Sequence, residues 1–145
     1  VHHHHALLDK VKWWLSSDWG SHNQVKIFIF GLDTDGLPNS NDLLYQSSLI
    51  ANTDDEWNSY ELPEIIETET GFMIGINTPG IYTGIGLDDG VGSPWVFQPQ
   101  TQMATEDWNS NSWMDIGEVS PSYQKNMLIR AYGIDLGEVR FENKN

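Results

Sequence analysis

The sequence predicts an all-β chain folded as an antiparallel two-sheet β-sandwich. Three observations carry that prediction. Helical periodicity is nearly absent, short runs of β-branched and aromatic residues recur, and clusters of Gly, Pro, Asn, Asp and Ser separate those runs at a spacing of about ten residues.

Read in order, the first strand spans Leu8 to Ser16 and alternates Val11, Trp13 and Leu15 with Lys12, Trp14 and Ser16. The second, Val25 to Phe30, offers two apolar or part-apolar faces, Val25-Ile27-Ile29 and Lys26-Phe28-Phe30. Further strands are expected at Asp42 to Ile50, Trp57 to Leu62, Phe72 to Asn77, Tyr82 to Leu87, Trp95 to Gln98, Ser112 to Gly117 and Asn126 to Gly133. The segments between them have turn chemistry: Asp33 to Asn41, Ala51 to Asp55, Asn77 to Gly80 and Asp88 to Pro94. Binding residues concentrate in such loops. The polar stretch Gln98 to Asn111 is expected to be either an ordered excursion or a binding loop, anchored by Trp108.

The domain is expected to occupy residues 8–133. Residues 1–7 read as a lead-in whose His2 to His5 run is either an expression-tag remnant or a metal-binding tract, and residues 134–145 as an exit segment or edge strand. A chain of 145 residues can bury a full core without a disulfide or structural metal. The absence of cysteine excludes a thiolate nucleophile and a Cys-ligated zinc site. No apolar run approaches the length of a membrane helix, so membrane insertion is not expected.

Charge excludes more. Between Lys26 and Lys125 there is no Lys or Arg, while sixteen Asp and Glu residues lie between them, and the formal net charge is −14. Such a surface repels phosphate backbones and anionic headgroups, so nucleic acid is not an expected partner. The acids are either a solubilising surface suited to an extracellular setting or a source of ligands for a divalent cation.

An ordered series of strand motifs adds a resemblance. Lys10-Val11-Lys12-Trp13-Trp14, Val25 to Phe30, Gly36-Leu37-Pro38 with Leu44-Tyr45, Trp57 to Leu62, Gly71 to Ile76 and Asn126 to Ala131 follow one another. Together they resemble the jelly-roll accessory domains of secreted and cell-surface bacterial proteins, such as the cleaved-adhesin domains of gingipain-type proteases and their choice-of-anchor relatives. The resemblance runs from about Leu8 to Tyr132. It implies a sandwich of jelly-roll type acting as an adhesion or targeting module, often calcium-bearing, appended to a larger protein and working outside the cell or on its surface.

Candidate chemistry lies in the acids and the tryptophans. Asp33-Thr34-Asp35-Gly36 opens like a Ca²⁺ loop, but Leu37 and Leu44 stand where an EF-hand needs oxygen ligands. A Ca²⁺ site at the sandwich edge stays open, with Asp88 the first candidate, then Asp89, and Asp33 with Asp35; the alternative is that these residues only initiate turns. Of the seven tryptophans, Trp13 or Trp14 must be internal, and Trp57 and Trp113 are expected to pack. Trp19, Trp95 and Trp108 sit in or beside loops, where flat rings stack on sugar faces and neighbours such as Asn109 satisfy hydroxyls. His22 is the one internal histidine, which leaves little for a Ser-His-Asp arrangement. The expected function is a non-catalytic module binding a glycan or surface protein. The alternatives are a spacer packing on flanking domains of the parent protein and a carboxylate-based glycosidase.

Overall fold

Lys10 to Leu15 alternate polar and apolar side chains, and that pattern fixes the central strand. The computed structural model describes residues 1–79, 83–88, 102–105, 107–123 and 125–141, with the backbone alone described for Trp19, Asp88, Trp108 and Asn126. Eleven strands occur among them: β1 (His4–Trp14), β2 (Gln24–Leu32), β3 (Pro38–Gln46), β4 (Ile50–Ala51), β5 (Trp57–Thr68), β6 (Met73–Asn77), β7 (Leu87–Asp88), β8 (Met103–Ala104), β9 (Met114–Asp115), β10 (Asn126–Met127) and β11 (Ile129–Glu138). All the pairings are antiparallel.

Two sheets carry the fold. In the first, β1 lies between β11 and β5; in the second, β2 is central and pairs with β3, β4 and β6. Val11 and Trp13 of β1, with Leu15 just after it, meet Val25, Ile27 and Ile29 of β2 in one core, joined by Leu62, Ile66, Phe72 and Ile74. Each of these first six side chains is fully buried, and burial of a large apolar side chain contributes about 1.5–3 kcal/mol. Sheet packed on sheet makes the expected all-β sandwich.

The second sheet is covered on its other side as well. Phe28, Phe30 and Met73 form a smaller cluster beneath Met103 and Trp113, and the Trp113 ring meets Phe30 edge-on at 5.5 Å. The Trp113 indole also donates to Ser40 Oγ, and Asn111 Oδ1 accepts from the Ser40 backbone, so residues 111–113 lie on β3. That double covering accounts for the six consecutive buried residues that close β2.

Several expectations are corrected. The first strand starts at His4, not Leu8, and the last runs to Glu138, not Gly133, because the two extensions pair with each other: His4 opposes Glu138 and Leu7 opposes Ile134. The two strands thus pair across the expected boundaries at 8 and 133, residues 134–138 being edge strand, one of the two expectations for 134–145, and His4 and His5 being strand residues. His2 stacks on Phe72 at 4.8 Å between ring centroids, and His3 Nε2 is 2.9 Å from the Gly36 carbonyl oxygen. A register shift between Leu8 and Lys10 lets Ala6 and Leu8 share the core with Val11 and Trp13 despite the change in parity. Gly133 permits the approach of β11, since a Cβ there would overlap the Leu7 carbonyl oxygen. The strand expected at Asp42 to Ile50 is instead Pro38–Gln46 with a separate Ile50–Ala51, and the one expected from Trp57 continues to Thr68. Ser112 to Gly117 is also different: after Met114–Asp115 the chain makes one helical turn, Ile116–Val119, capped by the Asp115 carboxylate accepting from Gly117 N–H. The strand expected at Trp95 to Gln98 lies outside the described residues, as does part of Tyr82 to Leu87.

Candidate ligand-binding face

The two sheets differ in what covers their outer faces. Because Val11, Trp13 and Leu15 point into the core, Lys10, Lys12 and Trp14 point away from it. Antiparallel register sets partners beside them. Lys10 opposes Tyr132 and Lys12 opposes Arg130 on β11, while Trp14, Lys12 and Lys10 oppose Trp57, Ser59 and Glu61 on β5. Eight of these residues thus form a lattice three strands wide, with sites about 5 Å apart across strands and about 7 Å along them.

The cations of this lattice are held by rings. Lys10 Nζ lies 4.7 Å and Lys12 Nζ 5.5 Å from the Tyr132 ring centroid, and the Arg130 guanidinium lies 4.6 Å from that of Trp57. Such contacts contribute about 0.5–1 kcal/mol each at an exposed site. Among the described residues, the carboxylate ion pairs within 4.0 Å all use histidine: His4 with Asp135, His5 with Glu67 and His22 with Asp54. Among the described residues the three cations therefore have no carboxylate partner within 4.0 Å, and Trp57 is 41% exposed beside them. Three of the chain's seven Lys and Arg residues occupy this one face of a molecule with net charge −14. Trp14 is the partly covered corner of the lattice, its ring lying so close to Gly86 that a Cβ there would overlap it.

Farther along the same face, Leu7 opposes both Ile134 and Glu67. Ile134 and Ile65 are exposed there. At this end His5 Nε2 is 3.0 Å from Glu67 Oε1 and His4 Nδ1 is 3.1 Å from Asp135 Oδ1. Asp135 sits below the ordinary carboxylate range because its carboxylate accepts the Gly137 backbone N–H and, secondarily, faces His4.

His22 belongs to the interior. Its Nδ1 is 3.0 Å from Asp54 Oδ1, its backbone N–H donates to Asp54 Oδ2, and Gly84 N–H points at Nε2 from 3.3 Å. A neutral ring protonated on Nδ1 satisfies both contacts. Asn52 extends the network, donating to the His22 carbonyl oxygen at 2.6 Å and to Asp54 Oδ1 at 3.1 Å, while its Oδ1 accepts the Trp13 indole N–H at 2.8 Å. With both ring nitrogens engaged and its side chain fully buried, His22 braces loops against β1.

The residues singled out from the sequence fall elsewhere. Asp33 and Asp35 form the β2–β3 turn, in which Asp33 Oδ1 accepts from Asp35 and Leu37 N–H at 2.9 and 3.0 Å. Gly36 N–H donates to the Asp33 carbonyl and Gly36 adopts φ +78°, so the segment is a hairpin turn closed by a left-handed glycine. This turn abuts His3, at the start of β1, whereas Asp88 closes β7 near the far end of that strand, where Gly86 bonds Trp14. The Asp33–Asp35 turn and the Asp88 backbone thus stand at opposite ends of β1. Asp89 and Trp95 lie outside the described residues, and among the described residues no three His, Asp or Glu side chains are grouped to hold a metal ion. Trp19 is in a 3-10 turn after β1, and Trp108 with exposed Asn109 is in another beside β3, on the opposite sheet. The structure does not bring them together.

Sequence reasoning missed the lattice. Lys10 and Lys12 were legible as the outward positions of a strand, and Trp57 was expected to pack, but Arg130 and Tyr132 join them only through a pairing about 120 residues distant. Among the described residues no helix is long and apolar enough to cross a membrane. Comparison with protein-family models, curated proteins and solved structures gives no match.

Proposed function

We propose that this chain is a non-catalytic binding module that presents the outer face of the β5–β1–β11 sheet to a glycan outside the cell or on its surface, as an appendage of a larger protein. One observation carries the reading. The outer face of the second sheet lies under Met103 and Trp113, whereas this one holds an exposed Trp57, a Tyr132 ring and three cations over those rings. Flat rings with polar neighbours are the equipment of sugar recognition, and a flat platform suits a polymer better than a small substrate.

The test is affinity gel electrophoresis against a panel of neutral and acidic polysaccharides. Retardation by at least one polymer is expected, weakened several-fold by Trp57→Ala and by Tyr132→Ala in variants whose circular dichroism is unchanged. A second reading, a spacer packed on a neighbouring domain, draws support from Leu7, Ile65 and Ile134 on the same face. No retardation by any polymer, with tight association of a flanking domain blocked by Ile65→Lys or Ile134→Lys, would replace the first reading with the second.

A further inference from the structure

Resting on that reading, we infer that the glycan is acidic, a polysaccharide carrying carboxylate or sulfate groups that bind between Lys10, Lys12 and Arg130. Lys10 and Lys12 converge on one ring, each within 5.5 Å of the Tyr132 centroid, and among the described residues neither has a carboxylate within 4.0 Å. Two like charges sharing one ring favour an anion beside them, the more so as neither has a carboxylate partner among the described residues.

Arg130 supplies the third contact. Its guanidinium, 4.6 Å over the Trp57 ring, carries a planar donor fork of the kind that takes a carboxylate or sulfate bidentately. The rings then serve twice, orienting cations and offering the remainder of the Trp57 face to the sugar.

The spacing selects the kind of polyanion. The strand positions that carry the three cations are about 5–7 Å apart, a small patch that a polymer charged on one or two sugars can satisfy. Glu61 also stands in the lattice opposite Lys10 and penalises a densely charged partner. The remaining surface reinforces this choice of face: with sixteen acids between Lys26 and Lys125, a polyanion is repelled from the body and approaches most readily where the bases are grouped. A sparsely charged acidic chain can meet this one patch, whereas a nucleic acid brings a dense row of phosphates against the acidic body around it.

The experiment uses matched pairs that share a backbone and differ in charge: polygalacturonate against its methyl ester, and dextran sulfate against dextran. At 50 mM salt, at least one charged member should bind at least tenfold more tightly than its neutral partner, with the carboxylate and sulfate pairs showing which anion is preferred. Raising salt to 500 mM should remove most of the difference by screening. Lys12→Gln with Arg130→Gln should abolish the preference, while Arg130→Lys should restore only part of it, because a lysine keeps charge without the planar fork. Equal binding within both pairs, lost in Trp57→Ala, would overturn the acidic assignment and leave the binding face standing. No binding to any of the four polymers or to the neutral panel would overturn both. A preference for duplex DNA, or concentration-dependent dimerisation abolished by the Lys12 and Arg130 changes, would overturn the assignment in favour of a nucleic acid or a second copy of the acidic chain.

Discussion

Asn52→Ala should be one of the more damaging single substitutions in this protein, although Asn52 is only half-buried and touches no ligand face. The side chain joins three elements. Its Oδ1 takes the indole N–H of Trp13, a fully buried residue, and its Nδ2 donates to the His22 carbonyl oxygen and to Asp54. Truncation leaves the Trp13 N–H without its acceptor in the core and removes a donor from His22. A buried polar group left unsatisfied costs about 1–3 kcal/mol, so one orphaned donor plus one weakened acceptor gives roughly 2–4 kcal/mol. For a chain of this size that corresponds to a fall in Tm of roughly 6–14 °C. Urea denaturation followed by tryptophan fluorescence measures it directly, with a lower midpoint and an unchanged slope expected. The cycle with Trp13→Phe, which removes the indole donor, should show a coupling of about 1 kcal/mol or more. A cost below about 0.5 kcal/mol for Asn52→Ala, or additivity in the cycle, would refute the claim that this network holds the loops to β1.

Three further outcomes are expected. Asp33→Ala should cost about 1–2 kcal/mol equally in EDTA and in millimolar Ca²⁺, because Asp33 accepts two backbone N–H groups of its turn; a loss confined to Ca²⁺ would make it a metal ligand instead. Gly36→Ala should destabilise by about 1–2 kcal/mol, since φ is +78° and the new methyl would stand 3.1 Å from His3 and Phe141 atoms, as thermal melts would show. Tyr45 is pushed up to about 12 by burial and by its hydrogen bond with the Tyr60 hydroxyl, 2.7 Å away. The folded form thus holds this proton more firmly than the unfolded chain, so the associated stability is complete below pH 10 and disappears as pH rises through 12. Absorbance titration at alkaline pH should show the late ionisation, shifted back toward 10 in Tyr60→Phe.

What the sequence revealed about this fold follows from how local each signal is. Val11, Trp13 and Leu15, or Val25, Ile27 and Ile29, declare a buried strand face by their own alternation, and both sets are fully buried. Phe28 and Phe30 likewise announced a second apolar face on β2, which Trp113 covers. The extension of β1 over His4 to Leu7 had no such signal, because histidine is neutral toward strand or loop and its partner, residues 134–138, follows Gly133 and contains Gly137, which read as an exit. The turn at Ile116 to Val119 is too short for a helical period to show. Asp33-Thr34-Asp35-Gly36 offered two readings, calcium loop or turn, and only hydrogen-bond geometry supplies the turn. For the candidate face the limit is topological. A strand pattern says which residues point outward but not which strand lies alongside, so no local window could place Arg130 beside Lys12.

The same topology links the distribution of charge to the exposure of the face. Five of the chain's seven bases lie outside the stretch from Lys26 to Lys125, at its two ends, and the sixteen intervening acids have no base among them. In an arbitrary fold, that arrangement would scatter the bases at two remote termini. Here the N-terminal strand β1 is flanked by the C-terminal strand β11, so both basic ends of the chain enter one sheet, and Lys10, Lys12 and Arg130 become neighbours. A purely solubilising charge distribution gains nothing from such segregation, since mixed signs spread evenly repel less and hold the fold equally well. Grouping the bases does make this face less negative than the rest of the molecule. Repulsion elsewhere on the surface and attraction here then act together on an approaching anion, selecting the face by which it binds before any contact is made.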